Sequence, residues 1–132
     1  MKVVVDTNVL VRSVMDDDPG QAIIARRVLS GASVIVIPVL CFAELAWVLR
    51  RSYRIANREI ASVIRTFADS ATVETDQRLV EAGIAMLEAG GDFADGAIAA
   101  DGMARGGETF VSFDRGAVDR LLAQGQRALL AA

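Results

Sequence analysis

The sequence predicts a single three-layer α/β/α domain with a central parallel sheet, spanning residues 1–132. Short apolar runs at residues 3–5 and 34–37 show no alternation with polar residues, which is typical of strands buried on both faces. Longer segments with apolar residues at helical spacing separate these runs. Strands that alternate with helices favour a parallel sheet covered by helices on both sides. Since 53% of the residues are hydrophobic, the chain can also bury a substantial core.

Each element follows from a local pattern in the chain. Uninterrupted apolar runs predict strands, and apolar residues three or four positions apart predict helices. Pro38 suits the first turn of a helix, and Asn57 is placed to cap the helix that follows it. The expected order is a strand at 3–5, helices at 7–15 and 21–29, a strand at 34–37, helices at 39–51 and 57–67, a weak strand at 71–73, helices at 76–88 and 92–104, a strand at 109–112, a helix at 116–124 and an edge strand at 128–130.

The composition excludes several classes of site. Because the chain has no histidine, it contains neither a Ser-His-Asp nor a Cys-His catalytic group, nor a zinc site that needs imidazole. Its single cysteine, Cys41, cannot form an intramolecular disulfide. The net charge of −3 argues against a protein that holds nucleic acid by bulk positive charge.

The sequence shows no pattern of a targeting or membrane segment. Its first residues lack the cationic and apolar regions of a signal peptide. The most apolar stretch, residues 34–43, ends at Glu44 and is shorter than the ~18–20 residues that span a bilayer. We therefore expect a cytoplasmic protein that does not contact a membrane.

Acidic residues follow the predicted strands and interrupt an apolar helix. Asp6 comes directly after the first strand and Asp114 soon after the fourth, at the edge where open parallel sheets place their sites. Each would serve equally well as the N-cap of the next helix. Glu44 is the only charged residue between positions 34 and 49. It must therefore reach solvent, a cation or a hydrogen-bond donor, because burying a lone carboxylate is costly.

Two further acids, Asp92 and Asp95, open an apolar helix three residues apart. This spacing imitates a capping box, and it also puts both carboxylates on one face of the helix. We expect Asp92 to be the cap and Asp95 to be the ligand. If Asp95 converges with Asp6, Glu44 and Asp114, the repulsion among them requires a proton or a cation. An all-oxygen set favours Mg²⁺ or Mn²⁺, and such ions serve phosphodiester hydrolysis.

Four short segments carry a more specific signal. They are residues 5–10 (VDTNVL), 43–45 (AEL), 92–100 (DFADGAIAA) and 111–115 (VSFDR). Each motif is weak alone, but together they resemble the PIN-domain ribonucleases, and within them the VapC-type toxins of toxin–antitoxin pairs. The resemblance covers the whole chain in the order and spacing typical of the family, and it implies a PIN-like fold.

The resemblance also implies an activity and its partners. The expected function is endonucleolytic cleavage of RNA that depends on Mg²⁺ or Mn²⁺, in a homodimer that a cognate VapB-like antitoxin inhibits. The implied site residues are the metal-binding catalytic acids Asp6, Glu44, Asp95 and Asp114, and the supporting residues Asn8, Asp92 and Ser112.

Several neighbouring residues have two interpretations. Arg50, Arg54 and Arg58 recur at helical spacing and could follow an RNA backbone, although a solvated helix face is the commoner explanation. Thr7 or Asn8 could cap the first helix. Trp47 and Phe67 are expected in the core or at an interface, because no aromatic pattern indicates a surface for stacking bases.

Other functions fit the acids less well or remain as alternatives. A response-regulator switch needs a lysine near the last strand, and the only lysine is Lys2. A haloacid-dehalogenase-type phosphatase needs Asp-x-Asp, whereas Asp6 is followed two positions later by Asn8. The alternatives that remain are a PIN-fold RNA-processing nuclease without a toxin role, and a protein-binding module that holds a structural cation.

Overall fold

The chain alternates strands and helices in the order that its apolar pattern predicts. A computed structural model describes all of residues 1–132. Its elements are β1 (Lys2–Val4), α1 (Thr7–Val14), α2 (Pro19–Gly31), β2 (Val34–Val36), α3 (Val39–Arg51), α4 (Asn57–Ala68), β3 (Val73–Glu74), α5 (Gln77–Glu88), α6 (Phe93–Ala104), β4 (Phe110–Ser112), α7 (Arg115–Ala123) and β5 (Ala128–Leu130). None of the seven helices combines the length and the apolar character that crossing a membrane requires.

All five strands are parallel to their neighbours, and they form two hydrogen-bonded ladders. In the first, β2 lies between β1 and β3, with Ile35 opposite both Val3 and Val73. In the second, β4 pairs with β5, with Val111 opposite Leu129. The parallel strands and seven helices confirm the predicted α/β fold class. No hydrogen-bonded pairing joins β1, β2 or β3 to β4 or β5, so the two ladders are separate.

The prediction that residues 3–5 are buried on both faces is wrong for Val4, which is 70% exposed. Val5 is buried, and Val3 is half-buried. Val111 in β4 and Leu129 in β5 are also exposed. Helices therefore cover these short strands on one face only, and an apolar run of three residues carries too little pattern to show this.

The main hydrophobic core joins the first ladder to the surrounding helices. Phe42 in α3 and Phe93 in α6 are fully buried, and their ring centroids are 6.5 Å apart. A smaller cluster of Met86, Ala99 and Leu121 joins α5, α6 and α7. Contacts on both sides thus hold α6, whose first turn carries Asp95, in a defined position.

Asn57 does not cap α4, contrary to the sequence prediction. It is the first residue of the helix, and Ala56 takes the cap position without a side-chain hydrogen bond. The amide nitrogen of Asn57 instead donates to the carbonyl oxygens of Leu87 and Gly91, each at 3.0 Å. These two carbonyls lie at the end of α5. The Asn57 side chain on α4 therefore gives a hydrogen-bond donor to carbonyl oxygens at the C-terminus of the neighbouring helix.

Candidate functional site

Asp6 and Asp114 occupy equivalent positions, each between a strand and a helix. An Oδ1 atom of Asp6 accepts a hydrogen bond from the Val9 amide at 3.3 Å, and Oδ1 of Asp114 accepts one from the Ala117 amide at 3.1 Å. Both residues are therefore N-caps, of α1 and α7. This settles the cap of α1, which is neither of the two residues that follow Asp6. Each exposed carboxylate retains a second oxygen that the cap does not use.

Glu44 is exposed on α3 and contacts the start of α1. The hydroxyl of Thr7 donates to Glu44 Oε2 at 3.2 Å, and Thr7 is the one buried polar residue of the chain. Cys41 lies beside them, with its sulfur 3.4 Å from the Val5 carbonyl oxygen. Burial raises the pKa of the Cys41 thiol, and the Glu44 and Asp6 carboxylates raise it further. Asp6 and Glu44 therefore lie in one neighbourhood, around Thr7 and Cys41.

Asp95 lies in the first turn of α6 and is half-buried. Burial raises the pKa of Asp95, and the nearby carboxylates of Asp92 and Asp114 raise it further, whereas the guanidinium of Arg120 lowers it. Negative charge at Asp95 is therefore opposed both by the loss of water and by two like charges. This is the second neighbourhood of acids in the molecule.

The three supporting residues, Asp92, Ser112 and Asn8, lie at the start of α6, at the end of β4 and in α1. Asp92 stands at the N-cap position of α6 but makes no side-chain cap, because its carboxylate instead accepts from Arg50 Nη1 at 3.4 Å. The expectation that Asp92 caps the helix through its side chain is therefore wrong. The Ser112 hydroxyl accepts a hydrogen bond from the Asp114 amide at 3.0 Å, which restrains the backbone at the end of β4. Asn8 is exposed in the first turn of α1.

The electrostatic contacts of the four principal acids define two groups. Asp6 and Glu44 both raise the pKa of Cys41, and Asp114 raises the pKa of Asp95. No three acidic or cysteine side chains lie close enough to hold a metal ion together. The carboxylate donors fit a hard divalent cation in their chemistry.

Arg50, Arg54 and Arg58 do not share a helical face. α3 ends at Arg51, so Arg54 lies in the following loop and Arg58 in α4. Arg54 is the only non-glycine residue with a positive φ, at 55°. Arg50 and Arg54 nonetheless line the same cleft, of about 570 Å³, while Arg58 does not.

Sequence reasoning missed two residues that act on the acids. Thr7 is buried against Glu44 across a separation of 37 residues, and no local pattern indicates that contact. Arg120 lowers the pKa of Asp95 from α7, while its Nε donates to the Ala89 carbonyl oxygen at 3.2 Å. Both contacts depend on how distant elements pack, so a motif of short spacing cannot show them.

The chain also matches a known protein family. The model of the PIN domain matches residues 3–121, a span that contains all four principal acids. A search of curated proteins finds no match. PIN domains are in general nucleases that use divalent metal ions. Because the match extends over most of the chain, the protein belongs to the PIN domain family.

Proposed function

We propose that the protein is a metal-dependent endoribonuclease that hydrolyses RNA phosphodiester bonds. The observation that carries this proposal is the PIN domain match over residues 3–121. The crowding of carboxylates around half-buried Asp95 supports it, since burial and two nearby carboxylates raise the pKa of this residue and a bound cation would stabilise its charged form.

Each acid has a structural feature that suits a role at the site. Thr7 holds the carboxylate of Glu44 by a hydrogen bond. Asp6 and Asp114 each commit one oxygen to a helix cap, so the other oxygen remains for a ligand. The proposed metal-binding catalytic residues are Asp6, Glu44, Asp95 and Asp114, and the proposed supporting residues are Asn8, Asp92 and Ser112.

Mg²⁺ or Mn²⁺ is the proposed ion, because every candidate ligand is a carboxylate oxygen. Such an ion supplies positive charge for a phosphate oxygen and lowers the pKa of a water molecule. The chain itself orients the acids within each group. Thr7 positions Glu44, and Arg120 offsets part of the negative charge at Asp95.

We further propose that the protein is the cytoplasmic toxin of a VapBC-type pair. The four motifs that resemble VapC-type toxins support this role, as does the exposed apolar surface. Leu40, Ile98 and Phe113 are 72%, 59% and 86% exposed. A partner that covered these side chains would remove their apolar surface from water. A homodimer and a VapB-like antitoxin are the proposed partners.

The experiment that tests the nuclease compares single carboxylate-to-amide variants on a fluorogenic single-stranded RNA. Asp95→Asn and Asp6→Asn keep the shape of the side chain and remove its charge. Each variant is expected to lose cleavage in Mg²⁺ or Mn²⁺ while its melting temperature stays near that of the wild type. Asp119→Asn is the matched control, because Asp119 is exposed on α7 and belongs to neither acid group.

Two results would contradict the nuclease assignment. They are full cleavage in excess EDTA, and unchanged cleavage by Asp95→Asn. RNA cleavage in vitro without growth arrest on expression in cells would favour an RNA-processing nuclease over a toxin. A protein that is stabilised by the ion but never cleaves RNA would instead be the binding module with a structural cation.

A further inference from the structure

Arg120 lies where the last three helices of the chain meet. Its side chain leaves α7 and reaches the end of α5, where its Nε donates to the Ala89 carbonyl oxygen at 3.2 Å. Asp95, in the first turn of α6, is close enough for the guanidinium to lower its pKa. No other cationic residue acts on Asp95 in this way. The positive charge at this junction therefore comes from one half-buried side chain.

Two glycines leave the space that the Arg120 side chain fills. A Cβ atom built on Gly91 would lie 3.0 Å from Arg120 Cδ, and one built on Gly116 would lie 2.9 Å from Arg120 Nη1. The side chain thus passes directly over the backbone at both positions, and a larger residue at either would displace it. Packing therefore holds the stem and the guanidinium in place, in addition to the hydrogen bond with Ala89.

The guanidinium of Arg120 faces a carboxylate without bonding to it. Arg120 takes part in no salt bridge, and Nε is its only side-chain nitrogen that donates a hydrogen bond within the chain. The Cβ built on Gly116 lies 2.9 Å from Arg120 Nη1 and 3.3 Å from Asp114 Oδ1, so one atom placed there would contact both groups. Asp114 Oδ1 is held by the Ala117 amide at 3.1 Å. Each group is therefore fixed by another partner, and both Nη nitrogens of Arg120 stay free for a ligand.

A fixed positive charge at this position opposes the ion that the proposed nuclease needs. Asp95 and Asp114, as ligands, would draw a divalent cation close to the guanidinium. Even with the screening of bulk water, the repulsion between a divalent ion and one positive charge about 6 Å away changes an affinity about tenfold. The packing of Arg120 over Gly91 and Gly116 restricts its movement away from such an ion. This acid pair should therefore bind Mg²⁺ or Mn²⁺ weakly while the guanidinium has no anionic partner.

The substrate of the proposed reaction carries the charge that removes this repulsion. A phosphodiester has a negative charge shared by two oxygen atoms, and guanidinium groups bind such oxygens as a fork. The two free Nη nitrogens of Arg120 offer this fork beside the acids. A phosphate bound there would neutralise the guanidinium and so strengthen the binding of the ion. By linkage, the ion would strengthen the binding of the phosphate by the same factor.

We infer that Arg120 couples the two ligands of the site, opposing a divalent ion at Asp95 and Asp114 until an anionic phosphate oxygen binds its Nη nitrogens. This inference rests on the proposed function and names a regulation of that site, since the ion binds tightly only together with substrate. Arg120 contacts the phosphate in this scheme, and it acts on the ion only through its charge.

The test measures bound Mn²⁺ rather than activity, from the electron paramagnetic resonance signal of the free ion. The full-length protein is titrated with Mn²⁺ in sodium chloride. Arg120→Gln removes the charge and is expected to bind Mn²⁺ about tenfold more tightly than the wild type, whereas Arg120→Lys keeps the charge and should stay within about threefold of it. Unchanged or weaker binding by Arg120→Gln would overturn the inference, because Arg120 would then only hold the fold or the acids in place.

Arg78→Gln is the matched control. It removes the same charge from an exposed position near the start of α5, at the opposite end of the helix from Ala89. Because Arg78 forms no salt bridge and its charge is screened by water, the affinity for Mn²⁺ should change less than about twofold. Tightening equal to that of Arg120→Gln would show an effect of net charge alone and overturn the site. Circular dichroism checks the fold of each protein, and Arg120→Met, which keeps an unbranched stem over Gly91, replaces the glutamine variant if that variant is unfolded.

Sulfate tests the coupling, because it is a tetrahedral anion that the proposed nuclease does not cleave. At equal ionic strength, replacing chloride by sulfate should tighten Mn²⁺ binding to the wild type about fivefold, at the low end of usual coupling between two ligands. The same exchange should leave Arg120→Gln unchanged. Equal tightening in both proteins would show that the anion pairs with the ion rather than with Arg120, and would overturn the coupling, as would a wild type that does not respond.

Cleavage of RNA separates this inference from the proposed nuclease. Tighter Mn²⁺ binding by Arg120→Gln, in a protein that cleaves no RNA, would refute the nuclease and still support the effect of Arg120 on the ion. RNA cleavage by the wild type, with equal Mn²⁺ affinity in the two proteins, would refute the role of Arg120 alone. The inference would also be overturned if neither protein bound Mn²⁺.

Discussion

Replacing Gly96 by alanine tests how closely α5 and α6 approach each other. A Cβ atom built on Gly96 would lie 2.3 Å from the Ala82 carbonyl oxygen and 2.9 Å from the Met86 Cβ atom. Both contacts are much shorter than van der Waals distance. The first is made with the backbone of α5, which cannot rotate away as a flexible side chain can. The added methyl group must therefore displace α6 from α5.

Gly102 provides a matched control on the same helix. A Cβ built there meets no atom within 4 Å, and its φ is not positive. Exchanging glycine for alanine inside a helix stabilises the folded state by ~0.5–1 kcal/mol through lower backbone entropy of the unfolded chain. Gly102→Ala should therefore stabilise the protein by this amount.

The two effects oppose each other at Gly96. Overpacking a close contact typically costs ~1–3 kcal/mol, from which the same helix gain of ~0.5–1 kcal/mol is subtracted. Gly96→Ala is thus expected to destabilise the protein by ~1 kcal/mol, and because the helix gain is common to both variants, they differ by the overpacking cost of ~1–3 kcal/mol. For a chain of this length, 1 kcal/mol corresponds to a change of ~3–6 °C in Tm.

The assay is thermal and urea unfolding of the three proteins, followed by circular dichroism. Gly96→Ala should melt below the wild type and Gly102→Ala above it. If Gly96→Ala is as stable as Gly102→Ala, the helices are further apart than the structure shows. If both variants lose stability, the reasoning about helix propensity is wrong instead.

Two further predictions concern polar contacts between loops and helices. Asn57→Ala removes the side-chain donor of the Gly91 carbonyl and leaves the Leu87 carbonyl with the Gly90 amide, and it should cost ~1–3 kcal/mol in urea unfolding; wild-type stability would contradict this. The Tyr53 hydroxyl donates to Asp17 at 2.7 Å and lowers the pKa of Asp17. A lowered pKa means that the bond stabilises the folded state above the ordinary value of 3.8 and is lost as the pH falls below it. Tyr53→Phe should therefore melt below the wild type at pH 7, and the difference in Tm should narrow below pH 3.8; a difference independent of pH would refute it.

The sequence predicted the order of all twelve elements, with bounds within two residues, because strong local signals mark them. Asp18, Asp76 and Asp114 each cap the helix that follows. The exposure of Val4 could not be predicted in the same way. An apolar run shows that a strand has a buried side, but whether the other face is covered depends on the partners of β1 and on distant helices.

The sequence proposes the residue types of the candidate site but does not determine their arrangement. Acids that follow parallel strands meet at one edge when those strands are neighbours in the same ladder. Asp6 and Asp114 follow strands of different ladders, so strand pairing alone does not determine how close they lie. The sequence also could not separate capping from ligand binding, and the structure shows why. Capping uses one oxygen of each carboxylate, so the two roles are compatible at the same residue.

Arg50, Arg54 and Arg58 show that helical spacing alone does not predict which residues share a surface. Three residues four positions apart would share one face if the helix continued, but α3 ends at Arg51. The chain then turns through Arg54 at φ 55° before α4 begins. Arg54 lines the same cleft as Arg50, whereas Arg58 does not. Helical periodicity assumes a negative φ at every residue, so it cannot predict a basic surface that depends on one residue in the left-handed region.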